Sequence, residues 1–184
     1  VRGLWLGVFD EGQFFEQMRL AIERGLTDAW TEGAKKCGIA IEELSPDEQL
    51  ALSDAIDGQL TFVPGFANDI IAGSKANKGK LTPLFQRTDL WVNQYPSVVS
   101  QAQTMACADQ KLKWVLHGAH FTQDPCVSCI KLDGKIKRAS FWLKRDVKPQ
   151  DPPNPNLECD GWRCGCAFIV TGEPLSKGPL PGLP

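Results

Sequence analysis

Five of the seven cysteines fall between Pro125 and Val170, as Cys126-x2-Cys129 and then, after a Pro/Asn-rich excursion, Cys159-x4-Cys164-x-Cys166. A turn of two residues lets both thiolates of a pair reach one ion. Two such clusters separated by a loop therefore have the spacing of a tetrahedral zinc site. Cys126, Cys129, Cys159 and Cys164 are the expected ligands, because Cys164 and Cys166 point to opposite faces if Gly165 is extended. Cys166 then opens a strand as a small buried residue. Its exchange with Cys164 stays open, as does replacement of Cys159 by His117 or His120. The plainer reading is that the thiols are merely buried or paired, since cysteine is among the most buried residue types. Two clusters in so short a stretch favour the metal. Abundant sulfur favours a closed structural site over a catalytic one, which keeps an open position beside an acid or base.

Other chemistries find less support. A Cys–His nucleophile pair can be written from Cys126 or Cys107 with His117 or His120, but that pattern is unspecific. The segment Gly73 to Lys80 is rich in lysine and glycine, yet lacks the strand and the terminal Lys-Ser/Thr of a phosphate-binding loop. Asp124 and Glu158 lie near the cysteines, where acidic loop residues are ordinarily just solvated. No catalysis is expected. The basic run Lys131, Lys135, Lys137, Arg138, Lys144, Arg145 and Lys148, interleaved with Phe141 and Trp142, has the makings of a phosphate-backbone contact. As the solvated face of a hairpin whose aromatics cover the metal it needs no nucleic acid, and this is the reading preferred.

A net charge of −2 over 184 residues gives no global attraction to nucleic acid or anionic membranes, and 42% hydrophobic residues support a packed core. No stretch reaches the ~20 apolar residues a membrane span needs, and no leader-like segment opens the chain. A soluble, intracellular protein is expected. The odd cysteine count suits reduced thiols or metal ligands better than a full disulfide framework.

The elements that must position the cysteines follow from periodicity. Val1 to Asp10 reads as a strand or extended lead-in. From Glu11 to Lys36, Phe14, Met18, Ile22, Leu26, Ala29, Trp30 and Ala34 place an apolar stripe on one helix, which Cys37-Gly38 ends. Ser45-Pro46-Asp47-Glu48 is a capping box opening a second helix, broken at Pro64-Gly65. Leu81 to Ala106 is helical and split near Pro96. Lys111 to His117 alternates as a strand, with Ile136 to Ala139 and Cys166 to Val170 as candidate partners. Thr171 to Pro184, rich in Pro and Gly, has too little to bury and reads as an extended tail. The expected fold is α+β: a helical part over 1–106, a small β-rich, zinc-stapled part over 107–170, and the tail 171–184.

The C-terminal half carries a further pattern. Arg87-Thr88-Asp89 and Asn93 on a helix, a strand ending in Lys113-Trp114, Cys126-x2-Cys129, Leu132-Asp133-Gly134, and a Pro-rich turn into Cys164-x-Cys166 occur in that order. This resembles the phage Mu F-like minor head protein family, over roughly Leu84 to Val170. The family's closing Cys-Arg-Cys is here Cys164-Gly165-Cys166, with Arg163 just before it. Its upstream His is replaced by Cys159. The resemblance implies a structural or assembly protein of the virion, present in the host cytoplasm during assembly. It would act near the portal with other head and capsid proteins, or inside the capsid with packaged DNA.

Overall fold

The computed structural model describes residues 1–116, 125–162 and 164–183. Among them are α1 (Arg2–Trp5), α2 (Glu11–Lys35), a 3-10 turn (Ile41–Glu43), α3 (Pro46–Leu60), α4 (Val63–Ala72), α5 (Thr82–Val92) and α6 (Gln94–Ala106). Then follow β1 (Lys111–Val115), α7 (Val127–Leu132), β2 (Ile136–Arg138), α8 (Ala139–Arg145) and β3 (Ala167–Val170). The fold is α+β, as expected, with helices first and a small antiparallel sheet in the C-terminal part. None of the described helices is long and apolar enough to cross a membrane.

Contacts divide the chain into two units, Val1–Asp28 with Leu50–Tyr95, and Ala29–Gln49 with Pro96–Pro184. This division differs from the linear one at residues 106 and 170, because the segment Leu50–Tyr95 is inserted between two stretches of the second unit.

In the first unit, Phe14 packs edge-on against Phe66 at 6.0 Å and Phe66 lies 5.2 Å from Trp91. Val63, Phe66 and Ile70 are fully buried on one face of α4. Residues 1–10, expected to be extended, instead form the short helix α1 and a turn. Trp5 explains this: its indole Nε1 donates to the Gly73 carbonyl at 2.7 Å, and its own carbonyl accepts from Lys75 N–H. A helical turn thereby satisfies polar groups that would otherwise need a sheet. The expected break at Pro64-Gly65 falls slightly earlier, at residues 61–62. Pro64 sits in the first turn of α4, where its missing N–H leaves no hydrogen bond unmade. Likewise the split near Pro96 occurs at Asn93, and Pro96 lies in the first turn of α6.

In the second unit, α2 ends as its sequence requires, with Gly38 at φ +80° and Ile39 N–H returning to the Ala34 carbonyl at 3.2 Å. The capping box forms: Ser45 N–H donates to the Glu48 carboxylate at 2.9 Å, and Glu48 N–H donates to Ser45 Oγ at 3.4 Å. Cys37 and Cys107 are joined in a disulfide with a Cα–Cα distance of 5.1 Å. One pair is thus bridged while five cysteines stay free, and helical spacing gave no sign that the ends of α2 and α6 meet.

The sheet has the order β2-β1-β3, both pairs antiparallel, with Lys113 opposite Ile136 and Ile169. Leu112 and Trp114 alternate inward from β1 and are fully buried. Trp114, Trp142 and Phe168 form the aromatic centre, with ring separations of 5.2 to 5.8 Å. Residues 139–145, expected on a hairpin, are the helix α8, which brings Trp142 into this core and bonds its Nε1 to the Leu112 carbonyl. Each such fully buried side chain contributes about 1.5–3 kcal/mol relative to exposure.

Gly33 on α2 faces α6 so closely that a Cβ there would collide with the Val99 carbonyl oxygen. Gly33→Ala, which would stabilise an isolated helix by about 1 kcal/mol, is expected instead to destabilise the protein by roughly 1–3 kcal/mol. Urea denaturation monitored by circular dichroism checks the sign.

Candidate metal centre

The first two cysteines are placed by a helix start. Cys126 is the N-cap of α7, and its sulfur accepts from Cys129 N–H at 3.4 Å. That hydrogen bond closes the Cys-x2-Cys turn and aims both sulfurs to one side. The turn after α7 is fastened to β1. Asp133 accepts from Leu116 N–H at 3.1 Å, and Gly134 N–H donates to the Trp114 carbonyl at 2.9 Å. Leu132-Asp133-Gly134 therefore sets the position of α7 on the sheet.

The other cysteines arrive on the Pro/Asn-rich loop, which an internal polar network holds in shape. Asn154, almost fully buried, donates from Nδ2 to the Asp146 carbonyl at 3.0 Å, and its own N–H reaches the Asp160 carbonyl. Lys148 is buried between Asp151 (2.8 Å) and Asp146 (3.3 Å), and Ser97 donates to Asp151 at 2.6 Å. Burial alone would lower the Lys148 pKa, but the two carboxylates outweigh it and the net shift is upward. Its contribution to stability is thus complete below the ordinary lysine range and fades only as pH rises past it. Glu158 then docks the loop on α7: its carboxylate accepts from Val127 N–H at 2.7 Å and its N–H donates to Ser128 Oγ at 3.0 Å. Gln150 Nε2 donates to the Cys166 carbonyl at 2.7 Å. Gly161, at φ +76° and packed against the Asp151 backbone, makes the return turn possible.

The outcome is five free cysteines in two overlapping groups of three. Cys126, Cys129 and Cys159 have sulfurs within 4.8 Å of one another, and so do Cys129, Cys164 and Cys166. Cys129 belongs to both groups and lies 3.6 Å from the Cys164 sulfur. That separation is close to the edge of a tetrahedron with metal–sulfur bonds of about 2.3 Å, which is ~3.8 Å. Cys129, Cys164 and Cys166 are buried, while Cys126 and Cys159 are half-buried. Each group is able to hold a metal ion. Of the expected ligands, Cys126, Cys129 and Cys159 share one group, while Cys164 lies in the other with Cys129 and Cys166. The expectation that Cys164 and Cys166 face opposite ways fails because β3 begins only at Ala167, so the two-residue alternation of a strand does not apply to 164–166. His117, His120, Asp124 and Arg163 lie outside the described residues.

The protonation pattern fits a cation site. Cys129 has its pKa raised because it donates to Cys159, then to Cys164 and Cys166, and burial adds to this. Cys164 is lowered, first by the hydrogen bond from Cys129 and then by that from Cys159. Cys166 is brought down to about 4, first by Cys129 and Cys164, against burial, with a further contribution from Trp114. Metal binding displaces protons from such sulfurs. The Trp114 Nε1–H is buried and has no conventional hydrogen-bond partner. An indole N–H beside the Cys166 sulfur suits a thiolate.

The other motif of the C-terminal pattern lies in the first unit. Arg87 on α5 pairs with Asp69 and stands over the Phe66 ring at 5.1 Å, while the Thr88 hydroxyl donates to the Phe85 carbonyl. The basic run is largely engaged. Lys131 and Lys137 donate to backbone carbonyls of the C-terminal segment, and Arg138 to the Asp109 carbonyl. Arg145 stands 5.8 Å from the Phe141 ring centre, and Lys148 is buried. Comparison with known family models, with curated proteins and with solved structures finds no match.

Because Cys129 belongs to both groups, Cys129→Ser is expected to abolish binding of one equivalent of cobalt(II). The wild-type chain should show the intense sulfur-to-metal charge-transfer bands of a thiolate site. Titration of the two proteins under reducing conditions tests this.

Proposed function

We propose that the cysteine centre holds a structural zinc ion and that the protein is a minor head or head-morphogenesis protein of a bacteriophage, without catalysis of its own. The observation that carries the zinc assignment is the gathering of the four other free cysteines near Cys129, in two groups of three that share it. Cys126, Cys129 and Cys159 with Cys164 would make a closed tetrahedral site, and Cys166 lies beside them under the Trp114 indole. Zinc so held ties α7, the Pro/Asn-rich loop and the approach to β3 together. Its binding free energy then becomes folding free energy for this unit.

The head-protein reading rests on the order of short motifs from Arg87-Thr88-Asp89 to Cys164-Gly165-Cys166. Portal and capsid proteins are the partners it supplies, and the virion is the place. Nucleic-acid binding is the less favoured alternative, since Lys131, Lys137, Arg138 and Lys148 already have protein partners. A toxin-like enzyme domain linked to a head protein has no assembled polar catalytic cluster in its favour among the described residues.

Two measurements separate the parts of this proposal. Purified protein should contain one zinc per chain, and Cys166→Ser should keep it while Cys126→Ser loses it. Zinc-free protein with reduced thiols, by elemental analysis and thiol titration, would remove the metal assignment. In the genome that encodes the chain, a nonsense mutation should stop assembly of infective heads, and mass spectrometry should find the protein in purified particles. Normal particles that never contain it would remove the head-protein assignment.

A further inference from the structure

The segment after β3 was expected to have too little to bury, but it is seated along the second unit. Thr171 N–H donates to the Lys111 carbonyl, which continues the sheet contact one residue past β3. Farther on, the chain reaches the free edge of β2. Ser176 N–H donates to the Ile136 carbonyl at 3.0 Å, and Ile136 N–H donates to Ser176 Oγ at 2.9 Å. An edge strand otherwise presents unpaired backbone groups, and here the tail takes them.

Lysines secure the rest through the tail's carbonyls. Lys137 Nζ reaches the Ser176 and Gly178 carbonyls at 2.8 and 2.7 Å, and Lys131 Nζ reaches that of Gly182 at 2.8 Å. Two side chains, Leu180 and Leu183, pack against the second unit's apolar core. They border a cavity of about 310 Å³ whose other wall includes Arg145, Val147 and Asn156. The contacts thus consist of a strand edge, lysine ammonium groups on backbone carbonyls, one ion pair from Lys113 to Glu173, and a recess bordered by two leucines three residues apart. Proline costs nothing there, because its carbonyls are used and its missing N–H is not needed.

We propose that this face of the second unit is a peptide-binding site for extended, proline-rich segments carrying two leucines spaced as in Leu-Pro-Gly-Leu, and that the chain's own tail occupies it as an internal ligand. The mode is strand-edge addition followed by recognition of a polyproline-like stretch. The site does not depend on the metal assignment, since none of its contacts involves a cysteine. Its partner is the same segment of a second copy of this chain, which carries the same contacts and competes with the tail.

The probe is a fluorescent synthetic peptide with the sequence of residues 172–184. In the full chain carrying Leu180→Ala and Leu183→Ala the tail's anchors are lost, and the peptide should bind at least about tenfold more tightly than to wild type. Adding Lys137→Ala to that background should weaken binding several-fold. A folded double variant that binds no better than wild type overturns the proposal, as does binding indifferent to Lys137→Ala. Hydrogen exchange on the wild-type chain gives an independent reading that no variant's folding can obscure. The Ile136 amide should be protected and should lose that protection when excess peptide lacking Ser176 (alanine in its place) displaces the tail. An Ile136 amide that exchanges as a free edge in wild type would mean that the tail is not seated, and the proposal fails.

Discussion

A buried cysteine that belongs to two sulfur groups at once is the constraint around which the second unit is arranged. Cys129 is covered by the aromatic core and touches the other cysteines on both sides. Left alone, such a cluster leaves thiols and thiolates crowded in a medium that solvates neither well. A bound cation resolves the conflict, and the surrounding structure is consistent with that solution. The helix that carries Cys129 starts on a sulfur cap. The loop that carries Cys159 is held by buried Asn154 and the Lys148 carboxylate pair. The indole N–H of Trp114 is left for a sulfur.

The loop from Asp146 to Gly165 is the costly part of this arrangement. Its described residues form no helix or strand, and Asp146, Gln150 and Asp160 adopt left-handed backbone conformations that non-glycine residues rarely take. Its shape comes from side chains that replace a ladder: Asn154, Gln150, Lys148 and Glu158 each hold a backbone group or an ion partner. Polar residues that look like solvated loop in the sequence are therefore framework.

How much of this was legible beforehand differs by element. The helices α2 to α6, the capping box at Ser45, the Gly38 stop and all three strands follow from local periodicity and turn chemistry, because each is decided by neighbours within a turn or two. That the two cysteine clusters lie close together followed from their spacing. What local patterns missed was set by distant partners. Trp5 winds the first residues into a helix by bonding to Gly73, and Cys37 finds Cys107 seventy positions away. Cys166 turns inward because the strand starts late. The tail is seated by lysines that composition had marked as surface charge.

The Cys37–Cys107 bridge has a topological consequence. The stretch Leu50–Tyr95 leaves the second unit after Gln49 and returns to it at Pro96, and the disulfide joins the chain on either side of that excursion. The first unit's larger segment is therefore a closed covalent ring, and its polar loop at Gly73 to Lys80 lies within that ring. A cut in the loop opens the ring without parting the chain: the halves stay one molecule until a reductant reaches a bridge whose cysteines are 9% and 1% exposed.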